Sequence, residues 1–269
     1  MKRAIIVAFS FVVLCAFISN CAGKKQLRRP SGPIKIPKIE SDELLNILLA
    51  QDTVIHCVRL SGRGIFRTSS KKQGFRVGLV SDRIKQRLGV YLGSGMIGVA
   101  SILWLCHPES ICIYVPIRNY VMVEPIGYNI EGIVLPPKAS VMIDMFSGLS
   151  PLARFSDYLT HYEQTSSGYY LTFQNNNEAL VILATPQPCW HIDGYQWIQE
   201  GNPGQIVDVQ FPEGELQNSI WVPNKVIISA PTLDQEIEME IDKYLINPEI
   251  SDSLFEPNIP DDVNWWRAY

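Results

Sequence analysis

The stretch from residue 84 to residue 116 constrains the fold most, because three apolar runs follow one another with turn residues between them. In the first run, 84–92, apolar and polar side chains alternate with the two-residue period of a strand that has one solvated face. The second run, 97–105, is apolar at both alternating sets of positions. Glycine and serine at the first joint, and proline and serine at the second, favour hairpins. The pattern predicts three neighbouring antiparallel strands, the middle one apolar on both faces.

An antiparallel sheet normally needs only one apolar face. The second apolar face of the middle strand therefore requires a cover. The stretch itself allows two covers: a packed helix, or an apolar ligand around which the sheet curves.

The N-terminus has the composition of a targeting segment. Lys2 and Arg3 precede residues 4–18, which are almost wholly apolar. As a helix this apolar core spans roughly 22 Å, short of the roughly 30 Å interior of a bilayer. A signal peptide at 1–20 is therefore favoured over a membrane span.

The end of that segment, Ile18-Ser19-Asn20-Cys21, resembles the bacterial lipobox, whose cysteine is diacylated and becomes the first mature residue. The resemblance implies lipidation at Cys21 and contact with a membrane through the anchor; an ordinary secreted protein is the alternative. Ala22, where aspartate would favour inner-membrane retention, implies an outer-membrane anchor facing the periplasm. Residues 21–40 then form a lipidated N-terminus and a basic linker with proline and glycine, which lies against anionic headgroups or acts as a solvated spacer.

Charge and length limit the partners and the number of domains. Removing residues 1–20 leaves 21 of the 23 basic residues against 27 acidic ones, so the formal charge of −4 becomes −6. Phosphate binding requires a basic face, so we expect no nucleic-acid partner. The remaining length suffices for one core, and we expect one domain at 41–263 followed by a C-terminal tail at 264–269.

Periodicity predicts a mainly β chain interrupted by helices. Ser41 is expected to cap a first helix with a leucine stripe. After two prolines, the sequence favours a helix at 139–149, with Met142, Met145 and Phe146 on one side, and a helical segment at 152–162. Further strands are predicted at 54–66, 74–81, 169–173, 179–185, 190–198, 206–211, 220–230 and 237–246, the last with the clearest alternation.

No catalytic constellation is recognisable in the sequence. It contains no G-x-S-x-G elbow, no H-E-x-x-H and no glycine-rich phosphate loop. His191 and Asp193 share one face of a predicted strand without a nucleophile beside them, and we interpret them as a surface pair. We therefore expect no enzyme activity and no cofactor.

Four cysteines lie beyond the proposed anchor, at Cys57, Cys106, Cys112 and Cys189. Cys106 and Cys112, with His107 and Glu109 between them, lack the paired spacing of a zinc site, so no metal is expected. The same two cysteines flank one predicted hairpin and would face each other only across a five-residue loop. We expect buried free thiols, with a Cys106–Cys112 disulfide as the alternative.

Several short motifs occur in a fixed order: the lipobox-like cysteine, a short helix, a Y-L-G-S-G hairpin, a helical M-F-S-G-L-S-P-L segment and a late S-L-F-E-P-N-I-P segment. This order, over residues 42–263, resembles the LolA/LolB superfamily of lipoprotein carriers and receptors. The resemblance implies a half-open antiparallel β-barrel capped by helices, with an apolar cavity for acyl chains. The implied cavity lining is Leu88, Val90, Val99, Leu103, Met142, Met145 and Phe146.

The receptor of that superfamily carries a Leu-Gly-Ser hairpin whose leucine assists cargo transfer into the membrane. By resemblance, the turn at 91–96 is a membrane-facing loop that presents Leu92 and Met96 beside two glycines that permit a tight turn. The alternative is an ordinary connection with Leu92 folded back onto the sheet.

Two functions remain open. The first is a lipid-anchored envelope protein that binds acyl chains or lipoproteins, for lipid or lipoprotein transfer to the outer membrane. The second is a structural or accessory lipoprotein of an envelope assembly, with a protein partner and a filled half-barrel. In the second case Trp104, Phe146 and Trp197 are the side chains expected to fill the interior.

Overall fold

The described part of the chain is dominated by strands, with helices at three places. The computed structural model describes residues 36–94, 98–107, 110–126, 138–199 and 206–267. The helices are α1 Ser41–Thr53, α2 Ala139–Phe146 and α3 Leu152–Phe155, with 3-10 turns at Pro116–Arg118, Ser156–Tyr158, Pro231–Leu233 and Asp252–Leu254. The strands are β1 Cys57–Thr68, β2 Lys72–Asp82, β3 Arg87–Ser94, β4 Gly98–His107, β5 Ser110–Val115, β6 Tyr120–Pro125, β7 Leu159–Gln164, β8 Tyr169–Asn175, β9 Glu178–Thr185, β10 His191–Gln199, β11 Ile206–Gln217, β12 Ile220–Ala230, β13 Gln235–Ile246 and β14 Asn264–Arg267.

These strands form one open sheet. Its order is β14-β6-β5-β4-β3-β2-β1-β13-β12-β11-β10-β9-β8-β7. Strand β14 runs parallel to β6, and β1 is antiparallel to both of its neighbours, like the hairpin strands around it. The sheet stops at β14 and β7 without closing. The prediction of a mainly β, half-open antiparallel barrel capped by helices is confirmed.

Apolar and acidic side chains alternate in the sequence of strand β13 because they lie on opposite faces of the sheet. Met239, Ile241 and Tyr244 are buried on the face that carries the helices, which we call the inner face, while Glu240 is exposed on the outer face. A bulge at Asp242 of β13 shifts its register against Ser61 and Gly62 of β1. A side chain at Gly62 would place its Cβ 2.1 Å from the carbonyl oxygen of Glu240, so glycine is required there.

The helices differ in detail from their predictions. The residue before α1 is Glu40, and Ser41 lies inside the helix, so the prediction of a Ser41 cap is wrong; its hydroxyl contacts Asp42 instead. Helix α2 ends at Phe146 because Gly148 adopts a positive φ of 70°, which terminates the helix in the usual way.

The helical segment predicted at 152–162 is wrong beyond residue 158. Strand β7 begins at Leu159, opposite Phe173 of β8. The ring of Tyr162 stacks on Tyr169 at 4.8 Å, and its hydroxyl donates to the carbonyl of Ile39 at 2.7 Å. These pairings across the sheet outweigh the local preference for a helix.

The sheet packs on both of its faces. The main core lies between the inner face and the helices, and Leu103 and Leu105 of β4 pack against it. A second, smaller core lies on the outer face, where Trp104 packs with Val121 and with Val263 of the C-terminal segment. The second apolar face of β4 is therefore covered by the C-terminal segment and not by a helix. Residues 264–267, assigned to a tail from the sequence, continue this segment as strand β14.

The state of one cysteine differs from the prediction of free thiols. Cys112 is disulfide-bonded, so the prediction of free thiols is wrong at this position. The side chain of Cys106 lies outside the described residues. Cys57 and Cys189 are free and half-buried.

Candidate functional site beneath the helices

Helix α2 lies against the inner face of the sheet and buries nearly all of its side chains. Met142, Ile143 and Met145 are at most 1% exposed. Their stretch, V-M-I-D-M-F, is apolar except for one aspartate, so a helix here must be covered on every side. Methionine side chains are flexible, so they can adapt to partners of different shape.

Most of the predicted cavity residues meet in this main core. Leu88, Val90, Met142, Met145 and Phe146 belong to it, and Leu103 packs against it while partly exposed. Val99 lies in β4, but its side chain is outside the described residues. The structure thus brings six of the seven residues to one region, in contact with packed neighbours.

A buried guanidinium fastens the helices to the sheet. Arg83, directly after β2, is 15% exposed in its side chain. It donates to the carboxylates of Asp144 in α2 and Asp52 in α1, at 2.8 and 3.1 Å. It also donates to the carbonyls of Asp52, Ile55 and Ser150, at 2.8, 3.2 and 3.4 Å. One side chain therefore joins the end of α1, the middle of α2 and the loop before α3.

A second arginine completes the cluster. Arg154 of α3 donates to the other carboxylate oxygen of Asp144 at 2.6 Å and to the hydroxyl of Ser140. Burial raises the pKa of Asp144 to about 6, and the two guanidiniums limit this rise. Burial likewise raises the pKa of Asp52, against the opposing effect of Arg83. At neutral pH the cluster balances two carboxylates against two guanidiniums.

The C-terminal end of α2 is tied down by neutral hydrogen bonds. Ser147 donates its hydroxyl to that of Ser81 in β2 at 2.8 Å, and both residues are fully buried. The hydroxyl of Tyr244 in β13 donates to the carbonyl of Ser147, also at 2.8 Å. This end of the helix is therefore held by two separate strands.

Two buried donors in the main core have no partner among the described residues. They are the hydroxyl of Tyr195 and the indole nitrogen of Trp197, both in β10. Burial raises the pKa of Tyr195 well above its usual value, so the hydroxyl keeps its proton. An unpaired buried donor costs about 1–3 kcal/mol, so each such group requires an explanation.

A cleft opens beside the cluster, between α1, the loop at 148–150 and strands β10 to β12. Its volume is about 50 Å³, and Leu48, Gln51, His191 and Trp221 are among its lining residues. This volume suits a few water molecules and is far smaller than an acyl chain requires.

His191 is not a surface residue, so the predicted surface pair with Asp193 is wrong. It is buried, with its ring stacked on Trp221 at 4.3 Å between centroids. Its ring nitrogens contact the carbonyl of Cys189 at 2.8 Å and the hydroxyl of Thr185 at 3.2 Å. Burial lowers its pKa, so the ring is neutral at physiological pH. A bulge beside Asp193 breaks the alternation that the prediction assumed.

Only part of the predicted membrane-facing loop lies within the described residues. Leu92 is half-buried and packs against the main core, and Met96 lies outside the described residues. The role of this loop in a membrane stays a prediction. Of the expected interior side chains, Phe146 and Trp197 lie in the main core, and Trp104 lies in the second core on the opposite face.

The sequence pattern did not predict the ion-pair cluster. Asp144 was the available signal, because a lone carboxylate in an otherwise apolar helix must find a buried cation. Arg83 gave no comparable signal, since its local sequence, S-D-R-I-K-Q-R, is largely polar. Within the described ranges, no group of histidine, cysteine and acidic side chains is arranged to hold a metal ion, and no helix is long and apolar enough to cross a membrane.

An open antiparallel sheet with helices packed on its inner face is a LolA-like fold. A putative outer membrane lipoprotein-sorting protein domain from Vibrio parahaemolyticus matches with a TM-score of 0.57 at 7% identity, over 80% of this chain and 95% of its own. A LolA superfamily protein from Nitrosomonas europaea matches with a TM-score of 0.55 at 8% identity, over 81% and 98%. A DUF1329 family protein from Desulfovibrio piger gives 0.56 at 10% identity, over 80% and 97%.

At these identities the likeness concerns the fold alone. No family model matches the sequence, and no curated protein matches it either. The resemblance inferred from the short motifs is confirmed at the level of the fold.

Proposed function

We propose that this protein is an envelope lipid carrier or receptor that holds an acyl chain, free or on a lipoprotein, between α2 and the inner face of the sheet. The observation that most directly supports this proposal is the composition of the interface between α2 and the sheet. It is largely apolar, with adaptable methionines at Met142 and Met145, and the main core to which it belongs contains the donors of Tyr195 and Trp197, which have no partner within the described part of the chain. An ester or amide carbonyl at the head of an acyl chain would accept from such donors.

In this proposal the structure represents the closed state. The interface is filled by the side chains of α2, so binding requires the helix to move away from the strands. The polar ties at Arg83 and Ser147 make this motion a discrete step, because they break as a unit when the helix leaves. Lipidation at Cys21 would keep the domain at the outer membrane, where its cargo is delivered.

A crosslink between α2 and β2 tests the proposal. The hydroxyl oxygens of Ser81 and Ser147 are 2.8 Å apart, so cysteines at both positions would be close enough for a disulfide. We expect the oxidised double variant to lose saturable binding of a fluorescent fatty-acyl probe and to regain it on reduction. Wild type with and without reductant controls for the disulfide of Cys112.

Absence of saturable binding by the wild type would refute the proposal. Equal binding by the oxidised and reduced double variant would show that the acyl chain does not enter beneath α2. Native mass spectrometry of detergent-free protein is an independent check, since a carrier should retain lipid during purification.

One observation favours a second function, that of an accessory lipoprotein with a filled half-barrel. Phe173, Trp197 and Phe211 are among the largest fully buried side chains, and the cleft beside α1 is only about 50 Å³. In this case neither a bound lipid nor an effect of the crosslink is expected, and affinity capture should instead recover a stable envelope protein partner.

A further inference from the structure

The outer face of the sheet carries a groove that the proposed function does not use. It crosses β13, β1, β2 and β3 and ends at the 3-10 turn Asp252–Leu254, with a volume of about 570 Å³. This is within the roughly 300–1,000 Å³ typical of ligand sites. We call it the outer groove. Its outward-facing residues are Arg59, Ser61, Gly78, Val80, Tyr91, Lys243, Leu245 and Leu254.

The register of the strands fixes the shape of the outer groove. Ser61 lies opposite Gly78 of β2 on one side and Lys243 of β13 on the other. Gly78 in turn lies opposite Tyr91 of β3. The floor is therefore made of a serine and a glycine, flanked by a lysine and a tyrosine. The hydroxyl of Tyr91 donates to the carbonyl of Leu254 at 2.7 Å, which holds the ring as a wall.

One wall carries the two cations together with Leu245, and the other is apolar. Arg59 lies opposite Leu245 of β13. Only the inward-facing Leu60 separates Arg59 from Ser61, which lies opposite Lys243. The guanidinium of Arg59 and the ammonium of Lys243 therefore both lie beside the floor of the outer groove. Val80, Leu254 and the ring of Tyr91 form the opposite side. A ligand seated here meets two cations at one side and an apolar surface at the other.

The cations on the same face differ in whether they pair with an acid. Arg63, Arg67 and Arg87 all pair with carboxylates, at 3.3, 2.5 and 2.6 Å. In the described part of the chain, Arg59 and Lys243 form no ion pair, although β13 is rich in acids. Lys72 and Arg76 of β2, on the same face, also form no ion pair among the described residues, but only Arg59 and Lys243 are unpaired cations that line the outer groove. Charge complementarity therefore favours an external anion.

We propose that the outer groove binds an amphipathic anion, in which a carboxylate or phosphate head is joined to an aliphatic chain. The head pairs with Arg59 and Lys243, and the first part of the chain crosses Gly78 toward Val80 and Leu254. This site lies on the face opposite to α2, so the inference does not rest on the proposed function. Two sources share this chemistry, free fatty acids and phospholipids.

Amide NMR spectra of the purified protein can locate the binding. Decanoate and decyl phosphate, below their micelle-forming concentrations, serve as probes, and decanol serves as the uncharged control. We expect saturable shifts of the amide signals of Ser61, Gly78 and Leu245 with an anion and none with decanol. Tighter binding of decyl phosphate indicates a phospholipid source, and tighter binding of decanoate indicates a fatty acid.

A filling variant tests the location. A Cβ at Gly78 would meet nothing closer than the Cβ of Tyr91 at 3.8 Å, so Gly78→Leu fits the folded sheet and occupies the outer groove. Gly74→Leu is the matched control, because position 74 is on the same face of β2, outside the groove, and a Cβ there meets only a carbonyl oxygen at 3.9 Å. Gly78→Leu should abolish the shifts, and Gly74→Leu should retain them.

A charge variant tests the chemistry. The double change Arg59→Gln and Lys243→Gln should weaken anion binding by at least about tenfold, the effect of losing charged hydrogen bonds. Lys72→Gln, on the same strand as Gly78 but outside the groove, should leave it unchanged. Absence of saturable shifts in the wild type would overturn the proposal. So would shifts that both groove variants retain, or equal binding of decanol.

Discussion

Replacing Arg83 by methionine should lower the free energy of unfolding by about 3–5 kcal/mol. The variant keeps a side chain of similar length but removes all five hydrogen bonds of the guanidinium. It leaves the carboxylate of Asp52 buried without its cation, and Asp144 with Arg154 alone. A natural domain has a total stability of about 5–15 kcal/mol, so the loss is a large fraction of it.

Urea unfolding of the variant and two companions measures this effect. Arg63→Met is the matched control, because the Arg63–Glu240 pair is 68% and 56% exposed and should contribute less than about 1 kcal/mol. Adding Asp52→Asn to Arg83→Met should recover part of the loss, since it removes the orphaned charge. If Arg83→Met and Arg63→Met unfold at the same urea concentration, the buried cluster does not stabilise the fold as argued.

Three further results are expected. Because the pKa of Asp144 is raised to about 6 in the folded protein, its contribution to stability is full below about pH 4 and lost as the pH rises through about 6. Urea titrations should show a steeper slope in wild type than in Asp144→Asn, which retains the slope from Asp52. Phe255→Ala should cost about 3–5 kcal/mol in thermal unfolding, because the ring is 2% exposed and lies 4.2 Å from the guanidinium of Arg87. Cys21→Ser should abolish labelling by a palmitate analogue together with membrane association, and a membrane-bound unlabelled variant would place the anchor elsewhere.

Strands with one solvent-exposed face could be predicted from the alternation in their sequence. In β13 the alternation of acids with apolar side chains predicts the faces correctly up to Ile241, and the strand lies at Gln235–Ile246 against a prediction of 237–246. Beyond Ile241 a bulge turns Tyr244 inward and Leu245 outward, which the pattern did not predict. At β4 the local pattern showed that both faces are covered but not what covers them. That cover, including Val263, comes from a segment about 160 residues further along the chain, and no local periodicity reports such a contact.

The candidate site was predictable in its apolar part only. The residues Leu88, Val90, Met142 and Met145 were expected to lie together, and all four are in the main core. The apolar faces of a helix and a strand are buried against each other because this removes both from water. The cluster around Arg83 depends on three separate segments that approach at one point. Its geometry is a property of the tertiary fold, so the sequence pattern could not indicate it.

The outer-face core has a consequence for the order of folding. The apolar residues Trp104, Tyr114 and Val121 lie on strands made early, while Val263 and the strand at Asn264–Arg267 are made much later. During synthesis, which proceeds from the N-terminus, β4 to β6 can pair before the C-terminal segment shields this face. The nascent chain therefore presents an aromatic patch and a free sheet edge until residues 263–267 emerge. Chains that stop short of residue 263 should aggregate or bind chaperones even though every strand of the inner face is complete.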